Sequence, residues 1–257
     1  MSDVPAAARW RDELAGWAIP EQIAAQAPEP PWGFPAELFP AAPREAADTP
    51  SRRRALDALP EGGSVLDVGC GGGAGGLSLV PPAAYVVGVD SGEHMLSAFA
   101  TAAHERGVRH REVHGDWPAV AAAFEPADVA VCHHVLYNVP DLATFALALS
   151  KAARRRVVVE LTARHPLADT RAMWRHFHGV DRPVGPSAAL AVDTLREAGL
   201  TPKVEEWTAP PREVPRAALV ALNRRRLCLS AEQDPVVDRL LGPPVERRLV
   251  TLWWDVG

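Results

Sequence analysis

The sequence has no long hydrophobic run and few cysteines. No apolar stretch approaches the roughly 20 residues that span a bilayer, and the opening residues do not resemble a secretion signal. The three cysteines, Cys70, Cys132 and Cys228, lie far apart and form no CxxC pair. This argues against both a disulfide framework and a structural zinc site. We therefore expect a cytoplasmic protein with no membrane segment and no bound metal.

The sequence also lacks an excess of positive charge, since its formal net charge is -5 and its isoelectric point is near 6.0. Non-specific binding to a phosphate backbone requires a positive field, so nucleic acid is a disfavoured partner. Three arginine triplets are the dense basic clusters, and we expect them at solvated helix ends or strand entries. They occupy residues 52–54, 154–156 and 224–226.

Residues 1–50 are rich in proline, alanine and tryptophan, and we interpret them as an extension outside the core. Six prolines between positions 28 and 43 exclude a long helix there. A short amphipathic helix is predicted over residues 9–18, because Trp10, Leu14 and Trp17 are spaced i, i+4 and i+7. The main domain is then predicted to cover residues 51–257.

From position 64 onward, short β-branched runs alternate with helical patterns, which predicts an α/β fold with a doubly wound parallel sheet. Helices are predicted over residues 91–106, with Ser91 as N-cap and Gly107 at the C-terminal cap, and over residues 141–152, with Asp141 as N-cap. The predicted strands are residues 64–68, 85–90, 109–114, 127–132 and 157–161.

The alternation pauses over residues 164–186, which we interpret as an insertion over the edge of the sheet. This stretch contains Trp174 and the histidines His165, His176 and His178, which could together form a substrate wall, although packing or surface roles are the simpler interpretation. The remaining predicted elements are a helix over residues 187–198, a strand over 203–207, helical segments within 215–240 and a strand over 248–254.

A glycine-rich turn follows the first strand and precedes a predicted helix. Glycines permit positive φ and let backbone N–H groups and a helix N-terminus face a nucleotide-like ligand. Because Gly69, Gly71 and Ala74 satisfy GxGxxA, the turn is compatible with an NAD(P)-dependent oxidoreductase. The glycines alone therefore leave the ligand open.

Asp67 favours a different ligand, because the dinucleotide pattern normally has an apolar residue at this position. A carboxylate there attracts a cationic ligand and repels a pyrophosphate. Gly73 extends the turn to GxGxG. Asp90, at the end of the second strand, can accept both hydroxyls of a ribose and fits either cofactor.

These residues resemble motif I of class I S-adenosylmethionine (SAM)-dependent methyltransferases, DxGxGxG. Further along, Gly115-Asp116-Trp117 is similar to the family's GD-x segment. Residues 127–141 are similar to its motif IV region, with Tyr137 and Asn138 in place of a histidine pair. The resemblance covers residues 64–161 in order and spacing, and the first 50 residues lie outside it.

The resemblance implies a Rossmann-like seven-stranded sheet of order 3-2-1-4-5-7-6 with strand 7 antiparallel. It implies SAM as cofactor and S-adenosylhomocysteine as product. Asp116 is then expected to contact the adenine amino group, and Trp117 to pack on the ring. The full set of expected cofactor contacts is Asp67, Gly69, Cys70, Gly71, Gly73, Asp90, Ser91, Met95, Gly115, Asp116, Trp117 and His133.

Methyl transfer needs alignment of the acceptor and, for some acceptors, removal of its proton. His133 and His134 follow the fourth strand, where either could act as a general base; otherwise His133 lines the cofactor and His134 packs locally. Tyr137 could orient an acceptor, or it simply packs, and the same alternatives apply to Asn138. Glu160, at the end of the fifth strand, is another candidate base or hydrogen-bond acceptor.

Methyltransferases of this kind often carry an N-terminal helical cap, so residues 1–50 are predicted to form a lid over the acceptor, with plain packing as the alternative. The aromatic residues behind this prediction are Trp10, Trp17, Trp32, Phe34 and Phe39. The acceptor is expected to be a small organic molecule methylated on oxygen or nitrogen by a monomer or homodimer. The alternatives are an NAD(P)-dependent oxidoreductase and a SAM-binding regulator without catalysis.

Overall fold

The computed structural model describes residues 4–32, 46–211 and 213–257. Its centre is a seven-stranded sheet of order β3-β2-β1-β4-β5-β7-β6, which confirms the predicted topology. Strands β1 to β5 pair in parallel, whereas β7 runs antiparallel to both β5 and β6. The strands are β1 Ser64–Val68, β2 Tyr85–Asp90, β3 Arg109–His114, β4 Ala127–His133, β5 Ala153–Thr162, β6 Lys203–Ala209 and β7 Arg247–Asp255.

Helices cover both faces of the sheet, and a further group lies apart from it. The helices are α1 Ala6–Ala15, α2 Glu21–Ala24, α3 Pro50–Leu56, α4 Glu93–Glu105, α5 Leu142–Lys151, α6 Arg171–His178, α7 Ala188–Glu197, α8 Arg216–Arg226 and α9 Asp234–Leu240. One core lies between the sheet and α1, α5 and α7, and the other lies between the sheet and α3 and α4. Because side chains alternate along a strand, β1, β2, β4, β5 and β7 each contribute to both cores.

Two predicted helix caps are confirmed, and one is wrong. Asp141 caps α5 by accepting a hydrogen bond from the N–H of Thr144, and Gly107 adopts φ +64° just after α4. Helix α4 has Gly92 as its N-cap residue, with no side-chain cap, so the N-cap assignment of Ser91 is wrong. The carboxylate of Asp90 accepts the N–H of Gly92, which forms a turn over residues 90–92. Helix α4 therefore begins only after Gly92.

The α-helix expected directly after the glycine-rich turn is absent. Residues Gly76–Leu79 form a single 3₁₀ turn, and Val80 is already extended. Pro81 and Pro82 follow at once, and proline both lacks a donor N–H and disfavours helical backbone in the residue before it. The turn therefore reaches β2 without an α-helix, so the prediction of a helix N-terminus beside the ligand is wrong.

Strand β5 begins four residues before its prediction, because the basic residues at its entry have partners. Arg155 lies 3.7 Å from Asp128, and Arg156 lies 2.6 Å from Asp255. The triplet in α3 is also paired, with Arg54 2.8 Å from Glu205. Arg156 is mostly buried by its pair, whereas Arg155 stays largely exposed, as expected for a strand entry.

The N-terminal segment contributes one helix to the sheet core. Helix α1 begins at Ala6, three residues earlier than predicted, because the carboxylate of Glu197 on α7 accepts the backbone N–H groups of Ala6 and Ala7. Trp10 is fully buried and Trp17 nearly so. Phe34 and Phe39 lie outside the described residues.

A third core joins three separate stretches of the chain. It contains Met173 and Trp174 of α6, Val220 of α8 and Val237 of α9, with Ile19 and Ile23 packed against it. The stretch after β5 leaves the sheet and returns through a bridge between Arg164 and Ser187. Within the described ranges, no helix has the length and apolarity required to cross a membrane.

Candidate functional site

The glycine-rich turn is shaped by positive φ angles and by close packing. Gly69 and Gly73 adopt φ +69° and +87°, and a Cβ atom on either would lie 2.3 Å from Val135 or 2.5 Å from Leu77, respectively. The N–H groups of Gly69 and Cys70 donate to the carbonyl of Val89, at 2.8 and 3.0 Å. The turn is thereby held against the end of β2.

Asp90 holds this turn from the end of β2. Its carboxylate accepts the N–H of Gly71 at 2.9 Å and the N–H of Gly92 at 2.8 Å. Ser91 is exposed and Met95 is buried on the first turn of α4. Asp90 therefore organises the loop itself, and its contact with a ribose stays a prediction.

Asp67 is almost fully buried beneath the same turn. Its Oδ2 accepts the N–H of Gly76 at 2.6 Å, and burial raises the pKa of the carboxyl from 3.8 to about 6, against the lowering influence of His133 and the Gly76 bond. The carboxyl group thus holds the glycine-rich turn from its buried side. The sequence did not reveal this role. Direct contact with a cationic ligand stays a prediction.

The segment after β3 lies beside Asp90. Gly115 adopts φ +147° and donates its N–H to the Asp90 carbonyl at 3.1 Å. Asp116 is exposed, and Trp117 is half-buried with its indole N–H donating to the carbonyl of Phe145. The structure therefore brings the predicted adenine-side residues to the same edge as the glycine-rich turn.

His133 and Glu160 are register partners at the ends of β4 and β5. The Nδ1 atom of His133 lies near Gly75, 3.3 Å from the position that a Cβ atom would take there. Its Nε2 atom is buried, with no hydrogen-bond partner among the described residues. His133 therefore lies between the buried carboxyl groups of Asp67 and Glu160, and the pKa of each is lowered by its presence.

His134 forms a pair with Glu160. It adopts φ +60°, a conformation that costs a residue with a side chain about 1–2 kcal/mol. Two contacts hold it there: its N–H donates to the Glu160 carbonyl at 2.7 Å, and its Nε2 lies 3.1 Å from Glu160 Oε1. Strained backbone held in this way at the carboxyl edge of a parallel sheet is characteristic of functional sites.

Glu160 is buried, yet its pKa is lowered to about 2. Burial alone would raise the pKa, but hydrogen bonds from His134 and Ser51 and the nearby imidazole of His133 outweigh it. A carboxylate with so low a pKa is a weak base near neutral pH. The low pKa favours the interpretation of Glu160 as a hydrogen-bond acceptor for His134 over its interpretation as a base, and the role of Glu160 stays a prediction.

Tyr137 is buried in the sheet core and is not exposed at the carboxyl edge of the sheet. It is 6% exposed, its hydroxyl donates to the Thr162 carbonyl at 2.7 Å, and burial raises its pKa. Its ring lies between Trp10 and His165, with centroids at 5.6 and 5.3 Å. The structure thus gives Tyr137 a packing role, and we do not retain it as an acceptor-binding group. Asn138 is exposed.

The histidines after β5 do not form a common wall. His165 stacks on Trp17 at 4.3 Å, and burial lowers its pKa to about 4. His178 bonds to the Leu227 carbonyl through Nε2, and Trp174 is buried in the third core. The simpler packing interpretation holds for these residues. In the described part of the chain, no group of three or more His, Cys, Asp or Glu residues is arranged to hold a metal ion.

Residues 65–156 match a family model described as a methyltransferase domain. Similar curated proteins include two named ubiquinone biosynthesis O-methyltransferase. The one from Hahella chejuensis is 41% identical over 99 residues, which is 38% of this chain and 41% of that protein. The one from Bordetella parapertussis is 33% identical over 159 residues, covering 55% and 63%. The chain therefore matches less than two thirds of the length of these relatives.

Solved structures share the fold at low sequence identity. The YcgJ protein from Bacillus subtilis is 15% identical with a TM-score of 0.57, over 80% of this chain and 97% of that one. TehB from Haemophilus influenzae is 12% identical with a TM-score of 0.51, over 80% and 61%. At these identities the likeness shows the fold alone.

Proposed function

We propose that residues 65–156, which match a methyltransferase domain, belong to a class I SAM-dependent methyltransferase domain, and that the protein methylates a hydroxyl oxygen of a small organic molecule. The observation that carries the catalytic part of this proposal is the pair of His134 and Glu160 at the carboxyl edge of the sheet. Oxygen is favoured over nitrogen because similar proteins are named O-methyltransferases.

The residues of the glycine-rich turn fit the cofactor. Gly71 adopts φ +51°, and a Cβ atom there would meet no atom within 4 Å, so the turn has open space for a ligand at this position. Asp90 would take the ribose, and Asp116 with Trp117 would take the adenine. His133 would line the methionine end. The match to a methyltransferase domain favours this ligand over a nicotinamide dinucleotide.

SAM supplies an already activated methyl group, so the chain's own residues have to align the acceptor and take its proton. The acceptor hydroxyl would lose its proton to the imidazole of His134. Glu160 accepts the hydrogen bond at Nε2, which leaves Nδ1 as the basic atom and stabilises the imidazolium that forms.

We further propose that the N-terminal segment forms part of the acceptor enclosure. Trp17 stacks on His165, and Arg182 donates to the carbonyls of Trp17 and Ala18, at 2.5 and 2.8 Å. These contacts tie the segment to the stretch after β5, close to the end of the sheet that holds His134. The stacked rings of Trp10 and Tyr137 form the packed base of this enclosure.

We place the protein in the cytoplasm as a monomer or homodimer. The expected partner is the small-molecule acceptor alone, since the net charge of -5 disfavours nucleic acid.

The test is calorimetric titration of the full chain with S-adenosylhomocysteine and, separately, with NADH. We expect micromolar binding of S-adenosylhomocysteine, at least ~10-fold weaker in Asp90→Ala, and no heat with NADH. Binding of NADH alone would overturn the methyltransferase proposal. Tight S-adenosylhomocysteine binding with no turnover on a broad panel of phenols, catechols and hydroxy acids would favour a regulator.

His134→Gln then tests the catalytic part. With an acceptor from that panel, we expect the variant to lose ~100-fold or more in kcat while S-adenosylhomocysteine binding is retained. His104→Gln is the matched control, because His104 is an exposed histidine in the last turn of α4. Equal kcat in wild type and His134→Gln would remove His134 as the base.

A further inference from the structure

Arg182 carries a positive charge that is buried between the N-terminal segment and the stretch after β5. The residue is 4% exposed, and it forms no ion pair with any Asp or Glu residue in the ranges that the structure describes. Arginine is almost never fully buried unless it is paired, because an unpaired buried charge costs free energy. The guanidinium of Arg182 therefore lacks the anion that its burial calls for.

Two other largely buried arginines do have acidic partners. Arg156 lies 2.6 Å from Asp255. Arg224 lies 2.9 Å from Glu29 and 3.1 Å from Asp234. The chain thus supplies a carboxylate at both of these positions, which makes the missing carboxylate at position 182 a specific feature of that position.

Neutral groups hold the Arg182 side chain in place. Its Nη1 donates to the carbonyl of Ala18 at 2.8 Å, and its Nη2 donates to the carbonyl of Trp17 at 2.5 Å. Its Cζ lies 5.4 Å from the ring centroid of Trp17 and 4.3 Å from that of Trp174. Carbonyl and indole groups attract a cation, but neither carries a full negative charge. The guanidinium is therefore fixed in orientation without being neutralised.

One edge of this guanidinium has an unused donor. The Nε–H of Arg182 is buried and has no hydrogen-bond partner in the described part of the chain. A guanidinium has five N–H groups in one plane, and those of Nε and Nη2 point the same way along one edge. Nη2 has two N–H groups, of which the Trp17 carbonyl takes one. The edge can therefore offer two parallel N–H groups, an arrangement that a carboxylate accepts bidentately.

We propose that Arg182 binds the carboxylate of an aromatic organic acid, and that the methyl acceptor is such an acid. A carboxylate matches the single charge of the guanidinium, whereas a phosphate group carries up to two negative charges. The indole rings of Trp17 and Trp174 lie beside the guanidinium and favour an acid that carries an aromatic ring.

This site adjoins the proposed acceptor enclosure. Trp17 stacks on His165 at 4.3 Å, and the rings of His165 and Tyr137 are 5.3 Å apart. Tyr137 lies three residues after His134 on the connection that follows β4. Arg182 thus binds the acid end of the acceptor, and the hydroxyl end extends toward His134. This inference rests on the proposed methyl transfer.

The experiment is calorimetric titration of the full chain with benzoate, with and without S-adenosylhomocysteine. Benzamide is the matched uncharged ligand. We expect benzoate to bind with a Kd of ~1 mM or lower and benzamide to bind at least ~10-fold more weakly. Equal affinities for the two ligands, or no binding of benzoate, would overturn the proposal, because the carbonyl and indole contacts would then be sufficient for the buried charge.

Substitutions of Arg182 assign the site. Arg182→Gln should weaken benzoate binding by ~10-fold or more, and Arg182→Lys, which retains the charge without the planar fork, should give an intermediate Kd. Arg175→Gln is the matched control, because Arg175 is an exposed arginine on α6 that pairs with Asp181. Undiminished benzoate binding in Arg182→Gln would contradict the proposal.

A measurement on the wild-type chain covers the case in which Arg182→Gln does not fold, which thermal unfolding reveals. The ¹⁵N–¹H NMR signal of Arg182 Nε, assigned with Arg182→Lys, should move on addition of benzoate and stay in place with benzamide. Benzoate binding that leaves this signal unchanged would place the ligand elsewhere and overturn the assignment.

Turnover then tests whether the bound acid is the acceptor. In Arg182→Gln we expect KM to rise ~10-fold for a phenol that carries a carboxylate, with kcat little changed, and no rise for phenol itself. An equal rise for both acceptors would contradict a carboxylate contact. Since benzoate binding needs neither SAM nor turnover, its failure is distinct from failure of the proposed methyl transfer.

Discussion

Asp67 and Glu160 are both buried carboxyl groups on the same face of the sheet, yet their pKa values move in opposite directions. The pKa of Asp67 is raised to about 6, whereas that of Glu160 is lowered to about 2. Asp67 has one backbone N–H as its hydrogen-bond partner, and Glu160 has the side chains of His134 and Ser51. Burial raises the pKa of both groups, and only at Glu160 do the partners outweigh burial.

The difference matches the two tasks that we propose. A carboxyl group short of partners, such as Asp67, gains from a cation bound nearby, which suits the side of the site expected to take SAM. A carboxylate whose charge is already compensated, such as Glu160, can hold an imidazole in one orientation throughout a reaction cycle. The same sheet edge therefore contains one acidic group that can respond to a bound cation, Asp67, and one whose charge is already compensated, Glu160.

Removing the charge of Glu160 has the largest expected effect. Because its folded-state pKa lies below the unfolded value of 4.5, the ionised carboxylate stabilises the fold above about pH 4.5, and this contribution is lost as the pH falls toward 2. Glu160→Gln should lower the free energy of unfolding by about 3 kcal/mol at pH 7. Urea denaturation between pH 3 and 8 measures both the loss and its decline in acid.

Glu205→Gln is the matched control for that prediction. Glu205 lies in the same row on β6 but is partly exposed and paired with Arg54, so its loss should cost under ~1 kcal/mol. Equal losses in Glu160→Gln and Glu205→Gln would mean that the buried pair contributes no more than a surface one.

Removing the charge of Asp67 should have a smaller effect of opposite sign. Its folded-state pKa lies above the unfolded value of 3.8, so stability falls as the pH rises from 3.8 to 6. Asp67→Asn keeps an acceptor for the Gly76 N–H and should stabilise the fold by ~1–2 kcal/mol at pH 7, with no gain below pH 3.8. Urea denaturation with the exposed Asp116→Asn as control tests this, and a destabilised Asp67→Asn protein would contradict it.

The sequence predicted the sheet well because the signals for it are local. Short β-branched runs, Asp141 as a cap and the glycines of the turn each act within a few residues. The alternating pattern also placed Asp67 and His133 at strand ends. These features suffice for the strands and for the alternating α/β pattern, whereas the strand order came from the resemblance to the methyltransferase family.

The parts that could not be predicted depend on partners distant in sequence. The low pKa of Glu160 depends in part on Ser51, which lies 109 positions away in the sequence. Helix α1 starts at Ala6 because Glu197 caps it, and Tyr137 is buried by Trp10. Nothing local to these residues indicates such contacts, and the missing helix after the glycine-rich turn shows that a family pattern can also be locally overridden by prolines.

The smallest expected effect concerns His133, which lies between the two carboxyl groups and lowers the pKa of both. Replacing it therefore moves the two sites in the same direction, unlike the changes above. In His133→Asn we expect the pKa values of Asp67 and Glu160 each to rise by ~0.5 unit, measured by ¹³C NMR of the carboxyl groups. His110→Asn, on β3, is the control. A rise at Asp67 alone would mean that His133 belongs to the cofactor side only, and that His134 and Ser51 are sufficient to hold Glu160 in its ionised form.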